Sequence, residues 1–366
     1  MRKILGILSW LFLLAENPFT VSGQDLQIQY TEASSLTILG KVFPDTSNPY
    51  ERMDFNLYDG WDKKDKDLLE MPTGIIISFR TNAPAIYVKP VFKSLSKFLW
   101  SGYGARGFDL YIKKDGFWLW AGDCVYGLNP EEESNKEKKL VENMATGEKE
   151  CLLYLPTYSK VSSVGIGVPK GYSIEKGGNP FRYRICIYGS SFVHGACTSR
   201  SGQTLPAFLC RSTGFEFCSL GVSGHCKMQP QYAHALKEAD VDAFVIDAFS
   251  NASEKIIEEN IFSFIETIQS TKPEVPIIFI GTIRMERRNF NRECEENDSR
   301  KIEAVKQLMA KVVKQYKDVY YVPSNAADAN HDTTVDGVHP SDWGYHIWAE
   351  SIRQPLLRIL KKYGVR

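Results

Sequence analysis

The chain has 366 residues, 44 basic and 44 acidic side chains, and therefore no formal net charge; 43% of its residues are hydrophobic. That length accommodates two domains of ordinary size, and the apolar content is enough to give each a core. With the charge balanced, nothing argues for nucleic acid or an anionic membrane surface as a partner.

Arg2 and Lys3 precede an apolar run over residues 4–15, followed by the small residues Val21-Ser22-Gly23. This is the order of a cleavable secretory leader, and the run is short for a membrane span. Residues 1–23 are expected to be removed, leaving an exported protein, periplasmic or secreted, with no membrane span in its mature chain. No cysteine precedes Cys124, which excludes a lipid-anchored cysteine just after cleavage.

Residues 24–178 read as β. Short β-branched and aromatic runs at 74–81, 85–92, 151–156 and 161–168 are bounded by Pro, Asn and Gly. Residues 107–120 alternate about Lys114-Asp115-Gly116 and predict a hairpin. Short strands at this spacing imply a β-sandwich of jelly-roll type. The charged run 131–139 is expected as a solvated loop. Trp61, Trp100, Trp118 and Trp120 are expected in the core or at a domain interface, with stacking on sugar rings as the alternative. Gly165-Ile-Gly-Val-Pro-Lys-Gly171 superficially matches a dinucleotide loop, but Pro169 and the lack of a following amphipathic helix exclude it.

A Gly-, Lys- and Asn-rich patch at 170–180 marks a boundary, after which strands and helices alternate. Strands are expected at 183–188, 215–220, 243–248, 276–281 and 319–322, and helices at 203–211, 254–270, 299–316 and 343–363. Alternation of this kind predicts a parallel sheet covered on both faces, with its ligand beyond the carboxyl ends of the strands.

Candidate chemistry collects at those ends. Ser191, in Gly189-Ser190-Ser191, follows the first strand; Gly224, in Gly221-Val-Ser-Gly224, follows the second; Asn251 follows the third. Asp336-Gly-Val-His339 lies in a late loop before the last helix. A serine hydroxyl needs a base to take its proton, and an imidazole needs a carboxylate to orient it. The attack places negative charge on the carbonyl oxygen, which a glycine amide and an asparagine side chain are suited to meet. Other uses of these residues are open at this point. Ser223 is a rival nucleophile, Asn251 is placed to cap the helix from Glu254, and Gly221 and Gly224 suit a tight turn. His194, His225 and His346 lie near these segments and are expected as hydrogen-bonded neighbours, and Asp247 as a structural carboxylate. Cys197 and Cys226 each follow a candidate loop and are the first disulfide pair to consider among eight cysteines; free buried thiols are the other reading. The Cys210, Cys218, Cys226 spacing does not match a zinc site.

Ser191, Gly224, Asn251 and the Asp336–His339 pair stand in the order of the four blocks of the SGNH (GDSL-type) hydrolases, and residues 182–366 resemble that superfamily. The resemblance implies a flavodoxin-like three-layer α/β/α fold. It also implies a catalytic Ser191, His339 and Asp336, and an oxyanion hole of the Ser191 and Gly224 backbone N–H groups with the Asn251 side chain. Gly107-Phe-Asp-Leu-Tyr111 resembles the signature of a β domain that precedes the SGNH domain in exported bacterial esterases. Two positions depart from the usual blocks. Ser190 stands where Gly-Asp-Ser has aspartate, and Asn251 lacks the usual Gly-x-Asn-Asp setting. The function expected is a serine esterase that hydrolyses short acyl esters, acetyl first, on carbohydrate, with no metal or organic cofactor. A lipid or small-ester acylhydrolase, an acyltransferase and a non-catalytic glycan-binding protein are the alternatives.

Overall fold

The computed structural model describes residues 27–56, 59–98 and 100–366. The leader read in residues 1–23 lies outside them. The first half contains strands β1 Ile28–Glu32, β2 Thr37–Leu39, β3 Ile76–Thr81, β4 Ile86–Ser94, β5 Gly107–Lys114, β6 Phe117–Val125, β7 Lys138–Val141, β8 Lys149–Tyr154, β9 Lys160–Pro169 and β10 Ile174–Lys176. They form two antiparallel sheets. One has the order β1-β9-β4-β7, and the other β10-β3-β8-β5-β6 with β2 paired to β3. Alternating inward residues such as Ile77, Phe79, Val88, Leu110, Leu153 and Ile166 fill the space between them. Positive φ at Asp115 and Gly116 makes the two-residue turn between β5 and β6.

Two expectations need correction. The charged run 131–139 is not a plain loop. Asn129 caps a short helix, α3 Pro130–Glu133, and β7 begins at Lys138. The patch at 170–180 carries β10, which pairs with β3 from Ile174↔Thr81 to Lys176↔Phe79. Ile174 packs on the sandwich core, so the last strand of the first half lies inside the polar patch.

The second half runs β11 Arg182–Gly189, α4 Ser191–His194, α5 Leu205–Thr213, β12 Phe215–Gly221, α6 Pro230–Leu236, β13 Ala243–Asp247, α7 Glu254–Gln269, β14 Ile277–Ile280, α8 Arg292–Gln315, β15 Val319–Val322 and α9 Asp342–Leu360. The five strands are parallel in the order β12-β11-β13-β14-β15, the flavodoxin-like order. Helices α6, α7 and α8 cover one face, and α5 and α9 the other. In α7, Ile257, Ile261, Phe264, Ile265 and Ile268 form the buried stripe of an amphipathic helix. Helix α8 begins seven residues before the expected start at 299, because its first turns are polar and only the Asn291 cap announces them.

The two halves share cores. The outer face of the six-stranded sheet, with Ile76, Tyr111, Leu152 and Tyr154, packs with residues of α5 and α9. The Gly107–Tyr111 signature forms much of this seam. Asp109, fully buried, accepts from Arg200 Nη1 (2.7 Å) and Gly202 N (2.9 Å). Leu110 points into the sandwich core, and the Arg211 guanidinium lies 4.3 Å from the Tyr111 ring centre. Trp118 packs on the shared core, and Trp120 sits at its rim beneath Arg200.

Between β2 and β3 the chain leaves the sandwich and lies across the second half, with α1 Lys63–Leu69 at its centre. Trp61 is buried there. Arg52, wholly buried, donates to Leu68 O, Met71 O and Gly221 O, stitching this segment to the end of β12.

Candidate active site

Ser191 opens α4 immediately beyond β11, as expected of a nucleophile at a strand end. Ser190 is extended and caps the helix, its Oγ accepting from Phe192 N at 3.2 Å. The same hydroxyl donates to Asp247 Oδ2 (2.7 Å), and so does Ser190 N (3.1 Å). Asp247 is wholly buried at the end of β13, and burial pushes its carboxyl up to about 6 against the opposing hydrogen bonds from Ser190. This accounts for the serine at 190. An aspartate there would set a second carboxylate against Asp247, whereas serine supplies a donor.

The structure brings Ser191, His339 and Asp336 together. His339 Nε2 is 3.0 Å from Ser191 Oγ, and His339 Nδ1 is 2.8 Å from Asp336 Oδ2. Asp336 Oδ1 accepts from Val338 N (3.0 Å) and His339 N (2.8 Å). Partial burial raises the Asp336 carboxyl, but the His339 backbone and ring bonds outweigh it and hold the group below its ordinary value. An ionised carboxylate only accepts, so Nδ1 carries the proton and Nε2 is free to take one from Ser191. The loop is braced from behind by Glu286, whose carboxylate accepts from the backbone N–H and hydroxyl of both Thr333 and Thr334. Nothing in the sequence singled out Glu286.

Gly224 occupies the third position of a turn closed by His225 N to Val222 O (3.0 Å), with φ +69°. That conformation favours glycine. Gly221 is needed for a different reason, since a Cβ there would lie 2.3 Å from His194 N. Asn251 does not cap α7, because Ser253 does. Its Oδ1 instead accepts from Cys226 N at 3.2 Å, which leaves Nδ2 as the donor of the amide.

The rival residues have other partners. Ser223 Oγ bonds Tyr158 OH at 2.5 Å. His194 is wholly buried, hydrogen-bonded through Nε2 to Thr157 O at 2.8 Å, and burial holds its pKa well below the ordinary value. His225 faces Asp62 and Asp65, and exposed His346 stacks on Trp343. All eight cysteines are free, which corrects the Cys197–Cys226 pairing. The Cys226 thiol turns onto Asp247 O, while Cys197 lies beside Asp336 and His339. Two groups of side chains among the described residues have the proximity needed for a metal ion: Cys197 with Asp336 and His339, and Asp62 with Asp65 and His225. In the first, His339 is already bonded through Nδ1 to Asp336 and through Nε2 to Ser191.

The first half places aromatic side chains beside this group. Trp100 lies 5.4 Å from the His339 ring, and Phe98 stacks on Trp100 at 4.6 Å while remaining 48% exposed.

A serine, an imidazole and a carboxylate linked in series beyond a parallel sheet define the arrangement of a serine hydrolase. The chain belongs to the GDSL-like lipase/acylhydrolase family, whose model matches residues 182–358; residues 28–174 match the model for the N-terminus of SGNH-hydrolase-type esterases. It is similar to a Bacteroides ovatus protein described as a GDSL-like lipase, at 37% identity and a TM-score of 0.87 over 92% of this chain and 98% of that one. Two more distant structures share the fold. A salicylyl-acyltransferase from a tetracycline biosynthetic pathway has 19% identity and a TM-score of 0.70 over 93% of this chain and 99% of its own. A family two carbohydrate esterase from Clostridium thermocellum, in complex with cellohexaose, has 14% identity and a TM-score of 0.60 over 90% and 100%. No curated protein sequence matches the chain. The chain is an ester hydrolase of the SGNH type.

Proposed function

We propose that this esterase is exported and removes short acyl groups, acetyl first, from carbohydrate. The observation that carries its chemistry is the unbroken Ser191–His339–Asp336 series. Ser191 Oγ attacks the ester carbonyl as its proton passes to His339 Nε2, and Asp336 stabilises the imidazolium that forms. The Ser191 N–H, the Gly224 N–H and Asn251 Nδ2 receive the oxyanion. His339 then gives its proton to the departing alkoxide. Water, activated by the same imidazole, releases the acid and frees Ser191.

The carbohydrate reading is supported by Phe98 and Trp100, flat apolar faces beside His339 of the kind on which a sugar ring stacks. The cellohexaose-bound esterase of the same fold agrees with it. Export rests on the leader sequence at residues 1–23.

The test is a panel of p-nitrophenyl acetate, longer acyl esters and acetylated oligosaccharides offered to residues 24–366. Acetyl esters are expected to exceed octanoyl esters in kcat/KM by about ten-fold or more, with acetate released from the oligosaccharides. A preference for long chains would replace this proposal with a lipid acylhydrolase. A folded protein that binds glycan and turns over no ester would replace it with a glycan-binding protein. Asn251→Ala is expected to lower kcat by roughly 10²–10³-fold while KM changes little, the effect of losing one oxyanion donor. Steady-state kinetics on p-nitrophenyl acetate reads both constants.

A further inference from the structure

We infer that the β-sandwich half sets the oxyanion hole: Tyr158, Asp62 and Asp65 are positioning residues that grip Ser223 and His225 on either side of Gly224. The inference rests on the proposal that Gly224 N–H receives the oxyanion. The tip of that turn is exposed, and no neighbouring atom lies within 4 Å of where a Gly224 Cβ would stand. Packing on the glycine itself therefore cannot fix the direction of its N–H. The side chains before and after it do so.

On one side, Ser223 Oγ bonds Tyr158 OH at 2.5 Å. Tyr158 is itself immobilised, buried and stacked on the His194 ring at 4.2 Å with an interplanar angle of 15°. On the other side, His225 Nε2 lies 3.2 Å from Asp65 Oδ1 and 3.3 Å from Asp62 Oδ2. Asp65 is fully buried and held by Tyr232 OH (2.6 Å) and Gln231 Nε2 (3.0 Å). Asp62 and Asp65 also form the reciprocal capping box that starts α1. Both anchors are thus locked before they touch the turn, as a supporting shell must be to hold a donor within a few tenths of an ångström. The second half holds the turn through Val222 N to Gly189 O, Cys226 N to Asn251, the Cys226 thiol to Asp247 O and Gln229 Nε2 to His225 O, and none of these bonds grips the Ser223 or His225 side chain.

Misplaced oxyanion donors weaken the transition state and leave ground-state binding intact, so kcat falls and KM does not. The experiment compares the full mature chain with Tyr158→Phe, Asp65→Asn and Asp62→Asn, measuring kcat and KM on p-nitrophenyl acetate and inhibition by a phenylboronic acid, whose tetrahedral adduct on serine needs the same donors. Tyr158→Phe and Asp65→Asn are expected to lower kcat about ten-fold, leave KM within about two-fold, and weaken boronate inhibition by the same factor as kcat. Folded variants with kcat and boronate inhibition unchanged would overturn the inference, as would a fall in kcat without weaker boronate inhibition. Should Asp65→Asn not fold, Tyr158→Phe and the exposed Asp62→Asn decide. Ser191→Ala runs beside them. If it abolishes turnover while the other variants are normal, the inference alone fails; if it retains turnover, the serine-esterase reading beneath it fails.

Discussion

Ser191→Ala is expected to lower kcat for ester hydrolysis by about 10⁶-fold, the scale on which loss of the nucleophile collapses a cooperating triad. The size follows from the geometry. Ser191 Oγ is the hydroxyl bonded to His339 Nε2, and its helix start is fixed by the bonds of Ser190 to Asp247. Ser223, the rival suggested by its glycine neighbours, is bonded to Tyr158. Ser223→Ala is accordingly expected to lower kcat only about ten-fold, through its hold on the Gly224 turn, a difference of several orders of magnitude between the two serines. Parallel kinetics on the two purified variants checks this, and comparable losses would contradict the assignment.

Asp336→Asn is expected to lower kcat by about 10⁴-fold with the fold intact. The mechanism can be followed atom by atom. Asp336 Oδ1 is committed to the backbone N–H groups of Val338 and His339, so an asparagine keeps its carbonyl oxygen there. Its Nδ2 then faces His339 Nδ1, where Asp336 Oδ2 now accepts at 2.8 Å. An amide donor opposite Nδ1 forces the imidazole proton onto Nε2, and the base can no longer take the proton of Ser191. The variant should keep the wild-type melting temperature and circular dichroism spectrum while losing turnover. A loss below about ten-fold would show that Asp336 does not govern the tautomer.

Much of this site is legible in the sequence because each part is local. Apolar runs at 183–188, 243–248 and 276–281 belong to strands buried on both faces, so their composition alone announces them. Asp336 and His339 are three residues apart and meet through their own loop. What is illegible depends on distant partners. Glu286 braces the loop that carries Asp336 and His339 across 47 residues of sequence, and Tyr158 reaches Ser223 across 65. Helix α1 lacks a recognisable apolar period, and only its Asp62–Asp65 capping box stood in the sequence to mark it. The Cys197–Cys226 expectation failed because nearness to two site loops says nothing about thiol direction, and the Cys226 thiol turns onto the Asp247 carbonyl. The departures from the usual family blocks likewise rest on contacts distant in sequence, across 57 residues for Ser190 and 25 for Asn251. Ser190 answers the buried Asp247, and Asn251 is oriented by Cys226 N.

The role of Ser191 as the nucleophile of an acyl-enzyme mechanism is tested most directly by treating residues 24–366 with a p-nitrophenyl alkylphosphonate and mapping the covalent product by peptide mass spectrometry. The predicted result is a single phosphonylated residue, Ser191, with loss of esterase activity in proportion to labelling and no adduct in Ser191→Ala. An adduct on Ser223, or none on a folded and active sample, would contradict it.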